Sequence, residues 1–529
     1  MTSRNFYFKQ GILVEPLFNQ WYATAYLIPP ASAAMFIANS HIKVMQSFVS
    51  APQIHISALK NPAMLGGPFI NYGVDKVSDI KKLVNETLQK QGQMIELAEA
   101  IKSLDDILTT EANGYSLESI YPKVPSILRG YVELVYDMHN HPSIRFIEGL
   151  FYKSKYYNPS SQSIALSERK SDDRSFVFST PRLKTDDRLF LDIPFNYEGL
   201  DELFKMKFVP QSYDYIKKTL KISNENDDLF GSFFTEEEPI LRPSYTDEAV
   251  RIRYFGHACI LIETREVSIL CDPVISYKDN SGIDRYIHKD LPEQIDYVLI
   301  THNHADHIMF ETLLQLRHKI KGLIVPKSSG SNLADPSLKL VLRNTGFHNV
   351  QEIDEMESFE IAGGTITGLP FLGEHGDLNI RTKAAYLVHV KGRSVLLAAD
   401  SNNIEPDLYK HIHEVFGNVD VLFLGMECDG APMSWLYGPM FTQPLARKSD
   451  QSRRLNGSNH EKAISIVDLL KPNEVYVYAM GLEPWLTFLT SIRYTDESRP
   501  IIESNKLISD CKCRGILAER LYVRKELYL

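Results

Sequence analysis

At 529 residues the chain is too long for one ordinary hydrophobic core, so two domains or more are expected. A net charge of −10 argues against the basic footprint of a nucleic-acid binder, while leaving room for local basic patches. Cys259, Cys271, Cys428, Cys511 and Cys513 are few, odd in number and scattered, which points to reduced thiols of a cytoplasmic protein rather than a disulfide frame.

In chain order, the apolar stretch from Tyr22 to Ala38 carries the cleavage-like Ala31-Ser32-Ala33. Pro29 and Pro30 interrupt it and no compact apolar segment precedes the tripeptide, so it does not read as a signal peptide. No run is long enough for a membrane-crossing helix. From Val77 the pattern becomes helical. Ile80, Leu83, Val84, Ile95, Leu97, Ile101, Leu104 and Leu108 recur near the 3.6 period, with a break at Gly92. A further helix is expected from Val124 to about Met138.

His139-Asn140-His141 falls in a turn before Pro142 without acidic companions, and reads as solvent-facing or structural rather than metal-binding. Tyr152, Tyr156 and Tyr157 read as core or interface aromatics. The polar segment Asn224 to Pro243 reads as a linker or covering loop between halves. The division expected is a mixed α+β N-terminal domain over 1–245 and a second domain over 246–529.

Beyond Ala249 the texture changes to short β runs. Val250 to Phe255 alternates, Gly256-His257 turns, and Cys259 to Ile262 resumes; Val267 to Asp272 is stopped by Pro273. Tyr297 to Ile300, Leu323 to Pro326, Thr365 to Thr367, Ala385 to Val388, Ser394 to Ala399 and Val421 to Leu424 follow as strands, with a helix over 310–320. Strands and helices repeated in this way give a layered α/β sandwich.

The run Val298-Leu299-Ile300 ends in Thr301-His302-Asn303-His304-Ala305-Asp306-His307. Three imidazoles and a carboxylate within six residues are hard to explain by core packing. A strand and a tight turn would throw His302 and His304 to one side, and Asp306 and His307 toward a second point nearby. Such a set suits two neighbouring divalent ions of zinc, iron or manganese. Cys511-Lys512-Cys513 lacks a second pair and is not read as a metal half-site.

Gly256-His257-Ala258, Leu270-Cys271-Asp272-Pro273, Thr301 to His307 and Ala399-Asp400 stand in the order of the metallo-β-lactamase superfamily. Over about 248–529 the chain resembles that superfamily, which implies an αββα sandwich with two metals at one edge of its sheets. The resemblance implies His302 and His304 on the first metal, Asp306 and His307 on the second, and Asp400 bridging both. Two positions depart from the hydrolase pattern. Where a third histidine is usual, the sequence has Gly373-Glu374-His375-Gly376. The last histidine is missing after Val475 to Gly481, with His460 at the start of the preceding helix as a substitute.

These departures resemble the diiron β-hydroxylases of nonribosomal peptide biosynthesis, of the chloramphenicol-pathway type. Met426-Glu427-Cys428-Asp429-Gly430-Ala431-Pro432, Trp435 to Pro439 and Met480 to Trp485 look like theirs. That resemblance implies a homodimer with a large N-terminal domain that covers the site or dimerises. It also implies two iron ions, oxo- or hydroxo-bridged, with O2 as co-substrate; electrons are expected from an external donor, because the sequence shows no dinucleotide fingerprint and no four-cysteine iron–sulfur set. The implied substrate is an aminoacyl group on the carrier domain of a peptide synthetase. A carboxylate in place of an imidazole makes a harder, more anionic site, which favours iron over zinc. Glu374 is therefore expected as ligand ahead of His375, and His460 is expected on the second metal. The alternative is a dinuclear zinc hydrolase of lactonase or phosphodiesterase type. Neither a membrane nor a nucleic acid is expected as partner. The basic run Arg447-Lys448-Ser449-Asp450-Gln451-Ser452-Arg453-Arg454 is the expected docking surface for an acidic carrier protein.

Overall fold

A computed structural model describes residues 4–278, 281–330 and 332–529. Its C-terminal part is built on two seven-stranded mixed sheets. The first sheet runs, edge to edge, through Val350–Ile353, Ile320–Pro326, Ile295–Leu299, Ser268–Cys271, Ile260–Glu263, Arg251–Tyr254 and Lys525–Tyr528. The second runs through Ser358–Ile361, Gly364–Leu369, Ala385–Val390, Arg393–Leu397, Val421–Gly425, Glu474–Tyr478 and Leu517–Arg520.

The period-two alternation of these strands decides which side chains meet between the sheets. Ile252, Tyr254, Ile260, Ile262, Ile269, Cys271, Leu299 and Ile324 from the first pack against Tyr386, Val388, Val395, Leu397, Phe423 and Tyr476 from the second. The intervening residues turn outward under helices. Leu396, Leu422, Leu424, Val475 and Val477 are covered by Tyr409 and Ile412 of the helix Asp407–Phe416 and by Ala463, Ile466 and Val467 of His460–Leu470. Leu261, Leu270, Val298 and Leu323 are covered by the helix Phe310–Leu316. The result is the αββα sandwich read from the sequence.

That outer face of the first sheet is continuous with the N-terminal half. Phe8, Val14, Phe195, Leu203 and Phe230 belong to the same apolar cluster as Leu313, Leu314 and Val341. A buried ionic network crosses the contact: Arg174 lies 2.7 Å from Glu15 and 2.8 Å from Glu311, and Arg182 lies 2.9 Å from Glu15. Tyr22 adds a 2.8 Å hydrogen bond to Glu311. Removing one member of such a network strands a buried charge, at a cost of about 3–5 kcal/mol. The two halves are thus joined by a contact that is expensive to break.

The N-terminal half holds a four-stranded sheet, Trp21–Tyr22, Ile12–Phe18, Gln162–Glu168 and Arg188–Leu191, beside a helical layer. The helices Val77–Lys90 and Gly92–Glu111 fall where the periodicity puts them, with their junction at Gly92. Ala31-Ser32-Ala33 lies in the buried helix Pro30–Phe36. The helix expected from Val124 to Met138 is corrected. Leu117–Lys123 is a 3-10 helix, and Val132–Tyr136 pairs with Pro142–Phe146 as a hairpin. The β-branched and aromatic alternation Val-Glu-Leu-Val-Tyr suits a half-buried strand better than a helix face. His139 and His141 sit exposed in its turn, where their backbone N–H groups donate to Asp137. The polar segment after Asn224 is not wholly a linker either, since Phe230, Phe233 and Phe234 are core residues. Tyr152 and Tyr156 are buried, and Tyr157 donates to the carbonyl of Asn344 across the two halves.

Candidate metal centre

The parallel strands Ser268–Cys271 and Ile295–Leu299 lie side by side and end at the same sheet edge. Asp272, next after the first, and Thr301, two residues past the second, meet there. Thr301 donates its backbone N–H to Asp272 Oδ1 at 2.7 Å and its hydroxyl to Asp272 Oδ2 at 2.6 Å. This clamp fixes the start of the histidine-bearing turn. From the second sheet, Arg393–Leu397 leads to Asp400, and Gly364–Leu369 leads to the loop that carries Glu374. A Cβ on Gly425 would fall 2.5 Å from Asp400 Oδ1, so only glycine admits the carboxylate there.

Several backbone conformations around the centre are strained. His257, Asp272, Glu374, Ala399 and Ala479 all have positive φ, from 40° to 64°. Non-glycine residues rarely adopt it, and its concentration around one set of side chains is a mark of a functional site.

Three groups of ligand atoms lie within 4.8 Å of one another: His302, His304 and Glu374; His302, His307 and Asp400; and His257, Asp306 and His307. Glu374 stands 2.8 Å from His304 Nδ1 and 3.7 Å from His302 Nε2. Asp400 stands 3.1 Å from His307 Nε2 and 3.9 Å from His302 Nε2, between the two ends of the cluster. The structure therefore brings together His302, His304, Asp306, His307, Glu374 and Asp400.

Hydrogen bonds on the far side of each ring decide which nitrogen carries the free lone pair. The hydroxyl of Thr301 is spent on Asp272, so it accepts from His302 Nδ1–H at 3.0 Å and leaves His302 Nε2 facing inward. His307 Nδ1–H donates to Asp272 at 2.7 Å and presents Nε2 in the same way. His304 reverses the pattern, with Nε2 on Tyr437 OH at 2.8 Å and Nδ1 inward. His257 differs from all three. Its Nδ1 accepts from the backbone N–H of Gly481 at 3.2 Å, which places the proton on Nε2, 3.1 Å from Asp306. A protonated nitrogen is no metal ligand, so His257 orients Asp306 by hydrogen bonding.

The donors fit a pair of cations on grounds internal to the molecule. His302 Nε2, Glu374 Oε2 and Asp400 Oδ1 are buried with no hydrogen-bond partner. Buried polar atoms are otherwise almost always paired. Burial pushes the Glu374 carboxyl up to about 7, against the pull of His304, and holds the His302 imidazole well below its usual range. Three carboxylates and three imidazoles with unspent lone pairs form a mixed oxygen and nitrogen set of the kind that suits iron. His375 belongs to none of the three groups; its Nδ1 donates to the carbonyl of Gly373 at 3.2 Å, and its Nε2 is buried without a hydrogen-bond partner.

The structure does not bring His460 into these groups. It sits at the first turn of its helix, where Nε2 meets Asp510 at 2.8 Å and the backbone N–H donates to Glu503 at 3.0 Å, and it joins no ligand group. The side chain is satisfied by Asp510 of the neighbouring helix Arg499–Cys513. His460→Ala is expected to keep full metal content, which metal analysis of the purified variant checks; loss of a metal ion would restore it as a ligand.

The basic run is also rearranged. Arg447 to Ser452 forms a short helix, and Arg447 and Lys448 are exposed. Arg453 Nε instead donates to the carbonyl of Gly376 at 2.7 Å, and Arg454 to the carbonyl of Asp429 at 2.9 Å. These two arginines brace the loops that carry Glu374 and Glu427. Charge reversal there would disturb the site itself.

The centre opens on a cavity of about 520 Å³. His304, Asp306, Glu374 and Asp400 form its floor, Glu427 and Arg454 one wall, and Leu65, Gly66 and Phe178 of the N-terminal half another. Burial pushes the Glu427 carboxyl up to about 7. Sequence reasoning missed Asp272, His257 and Tyr437 as partners of the ligands. The first two stood in motifs already singled out, and Tyr437 in another, but their roles depend on strands and loops distant in the chain.

Fold and donor set together define a dinuclear metal enzyme of the metallo-β-lactamase fold, with a carboxylate where hydrolases of that fold place an imidazole. Residues 7–239 match the diiron non-heme beta-hydroxylase N-terminal domain, and 268–474 match the beta-lactamase superfamily domain. The chain is 40% identical, over 98% of its length and 99% of the relative's, to the 4-amino-L-phenylalanyl-(CmlP peptidyl-carrier-protein) 3-hydroxylase of Streptomyces venezuelae. The crystal structure of CmlA, a diiron beta-hydroxylase from that organism, superposes with a TM-score of 0.93 at 40% identity, covering 100% of both chains. The chain belongs to the diiron non-heme β-hydroxylase family, and its cofactor is a pair of iron ions. No described helix is long and apolar enough to cross a membrane.

Proposed function

We propose that the enzyme hydroxylates the β-carbon of an aminoacyl group while that group is tethered to a peptidyl carrier protein. The observation that carries this reading is the near full-length kinship to a hydroxylase of a carrier-bound amino acid, combined with Glu374 in the donor set. His302, His304 and Glu374 would hold one iron, Asp306 and His307 the other, with Asp400 between them. The iron pair supplies the reductive activation of O2. In balance, a C–H bond and O2 take up two electrons and two protons to give C–OH and water, so an external reductant is required.

The chain's own residues supply position and dryness. Asp272 and Thr301 hold His302 and His307 in one tautomer, Tyr437 does so for His304, and His257 fixes Asp306. Leu65 and Phe178 wall the cavity from the N-terminal side and exclude water from the reacting carbon. Glu427 faces the same space, where its half-buried carboxyl is poised to pair with the free ammonium of an aminoacyl thioester.

The test compares one amino acid presented free and presented as the carrier thioester to the iron-loaded enzyme. Hydroxylation of the tethered form, with kcat/KM at least about 100-fold above the free acid, is expected where remote binding energy positions the substrate. Equal turnover of the free amino acid would defeat the carrier-bound reading.

A further inference from the structure

A second cavity, of about 840 Å³, lies beside the metal-centre cavity, and Gly66, Phe178 and Trp435 line both. Trp435 is held by one hydrogen bond, from its indole N–H to the carbonyl of Gly66 at 2.9 Å, and Phe178 meets its ring edge-on at 5.4 Å. The floor of the second cavity comes from one continuous helical stretch, Pro30–Phe36 and Ile42–Ser50, interrupted by the π-turn Ile37–His41. Such turns insert an extra residue into a helix and occur frequently at functional sites. Here the turn carries Asn39, Ser40 and His41 into the lining.

One feature of that lining has no internal explanation. His41 and Trp21 stack face to face at 3.9 Å, both almost wholly buried, and neither His41 Nδ1 nor Trp21 Nε1 has a hydrogen-bond partner. Each is a polar atom waiting for a guest. Lys43 and Lys102 also line this cavity; Lys43 disfavours the charge of Lys102, whose ammonium donates to Asn39 Oδ1 in the same lining. The carboxylate that shares this space, Asp450, already accepts from the backbone and hydroxyl of Ser434 at 2.9 and 2.7 Å. The cavity thus pairs a cationic end with buried indole and imidazole nitrogens, and it abuts the reaction chamber.

We propose that this second cavity binds the phosphopantetheine arm of the carrier protein, with its phosphodiester at Lys43 and Lys102. Its amides lie against Trp21 and His41, and its thioester end passes the Trp435–Phe178 wall toward the metals. The proposal rests on the carrier-bound reading of the function. Of the groups that such a substrate offers, only the arm combines a phosphate with neutral amides in one slender chain. Lysine serves phosphate as a point charge, and the amides satisfy donors that a purely apolar guest would leave unpaired.

The test uses iron-loaded full-length enzyme and the aminoacyl-loaded carrier, with apo-carrier lacking the arm as competitor. The double variant Lys43→Gln, Lys102→Gln is expected to raise KM for the loaded carrier about tenfold, with iron content unchanged and with the same inhibition by apo-carrier as wild type. Val44→Trp, which fills the cavity, is expected to lower kcat/KM by at least about 100-fold. If that variant does not fold, the lysine variant still decides. A KM within about twofold of wild type for the lysine variant overturns the route while the hydroxylase reading stands. An equal loss of apo-carrier inhibition would place the lysines on the carrier's protein surface and overturn it as well. Wild-type enzyme inert toward the loaded carrier would instead sink the functional reading beneath both.

Discussion

Glu374→Ala is expected to strip one of the two irons and to lower hydroxylation by at least about 100-fold. Glu374 is the carboxylate nearest His302 and His304, its second oxygen is buried without a partner, and its backbone is held at φ 64° to bring it there. Truncation leaves two imidazoles for that iron, His302 and His304, since His375 lies outside the ligand group. Iron per chain, measured alongside single-turnover hydroxylation, checks the outcome. If His375→Ala loses the metal and Glu374→Ala keeps it, the ligand is the imidazole.

Asp272→Asn is expected to weaken metal binding by about 10–100-fold without unfolding the chain, although Asp272 touches no metal. The carboxylate accepts three hydrogen bonds, two from Thr301 and one from His307 Nδ1–H. An amide of the same shape has one oxygen in place of two, so either the Thr301 clamp or the His307 bond must fail. His307 then loses the bond that keeps Nε2 free for metal, and Thr301 loses its anchor beside His302. Competition with a chelator, read against the melting temperature of the metal-free protein, separates lost affinity from lost fold. Unchanged iron retention would show that Asp272 serves the fold alone.

The fold was legible in the sequence where one period dominated. The strand at Ile295–Leu299 and the outward turn after it were marked by an apolar run ending in ligand-type residues, and the helices on either side of Gly92 by a sustained 3.6 repeat. Val132–Tyr136 was misread because a five-residue strand offers too few positions to separate its period from a helix. Within the centre, side chains adjacent in sequence announced themselves, and Asp400 and Glu374 were reachable through the family resemblance. His460 misled because a helix-start histidine near the expected position satisfies the spacing, whereas its partner Asp510 lies on a helix packed beside it, which only the folded chain reveals. His257 was seen as part of a turn, but its role depends on which nitrogen Gly481 engages. That is a matter of hydrogen-bond direction, invisible in residue order.

The most direct measurement prepares the metal-free protein and reloads it separately with iron and with zinc. Each form is then incubated with the aminoacyl carrier, O2 and a chemical reductant, and the carrier-bound product is weighed by mass spectrometry. The account predicts that the iron form adds one oxygen atom at the β-carbon and leaves the thioester intact, and that the zinc form does nothing to the substrate. Cleavage of the thioester by the zinc form, with no oxygen added by the iron form, would contradict it.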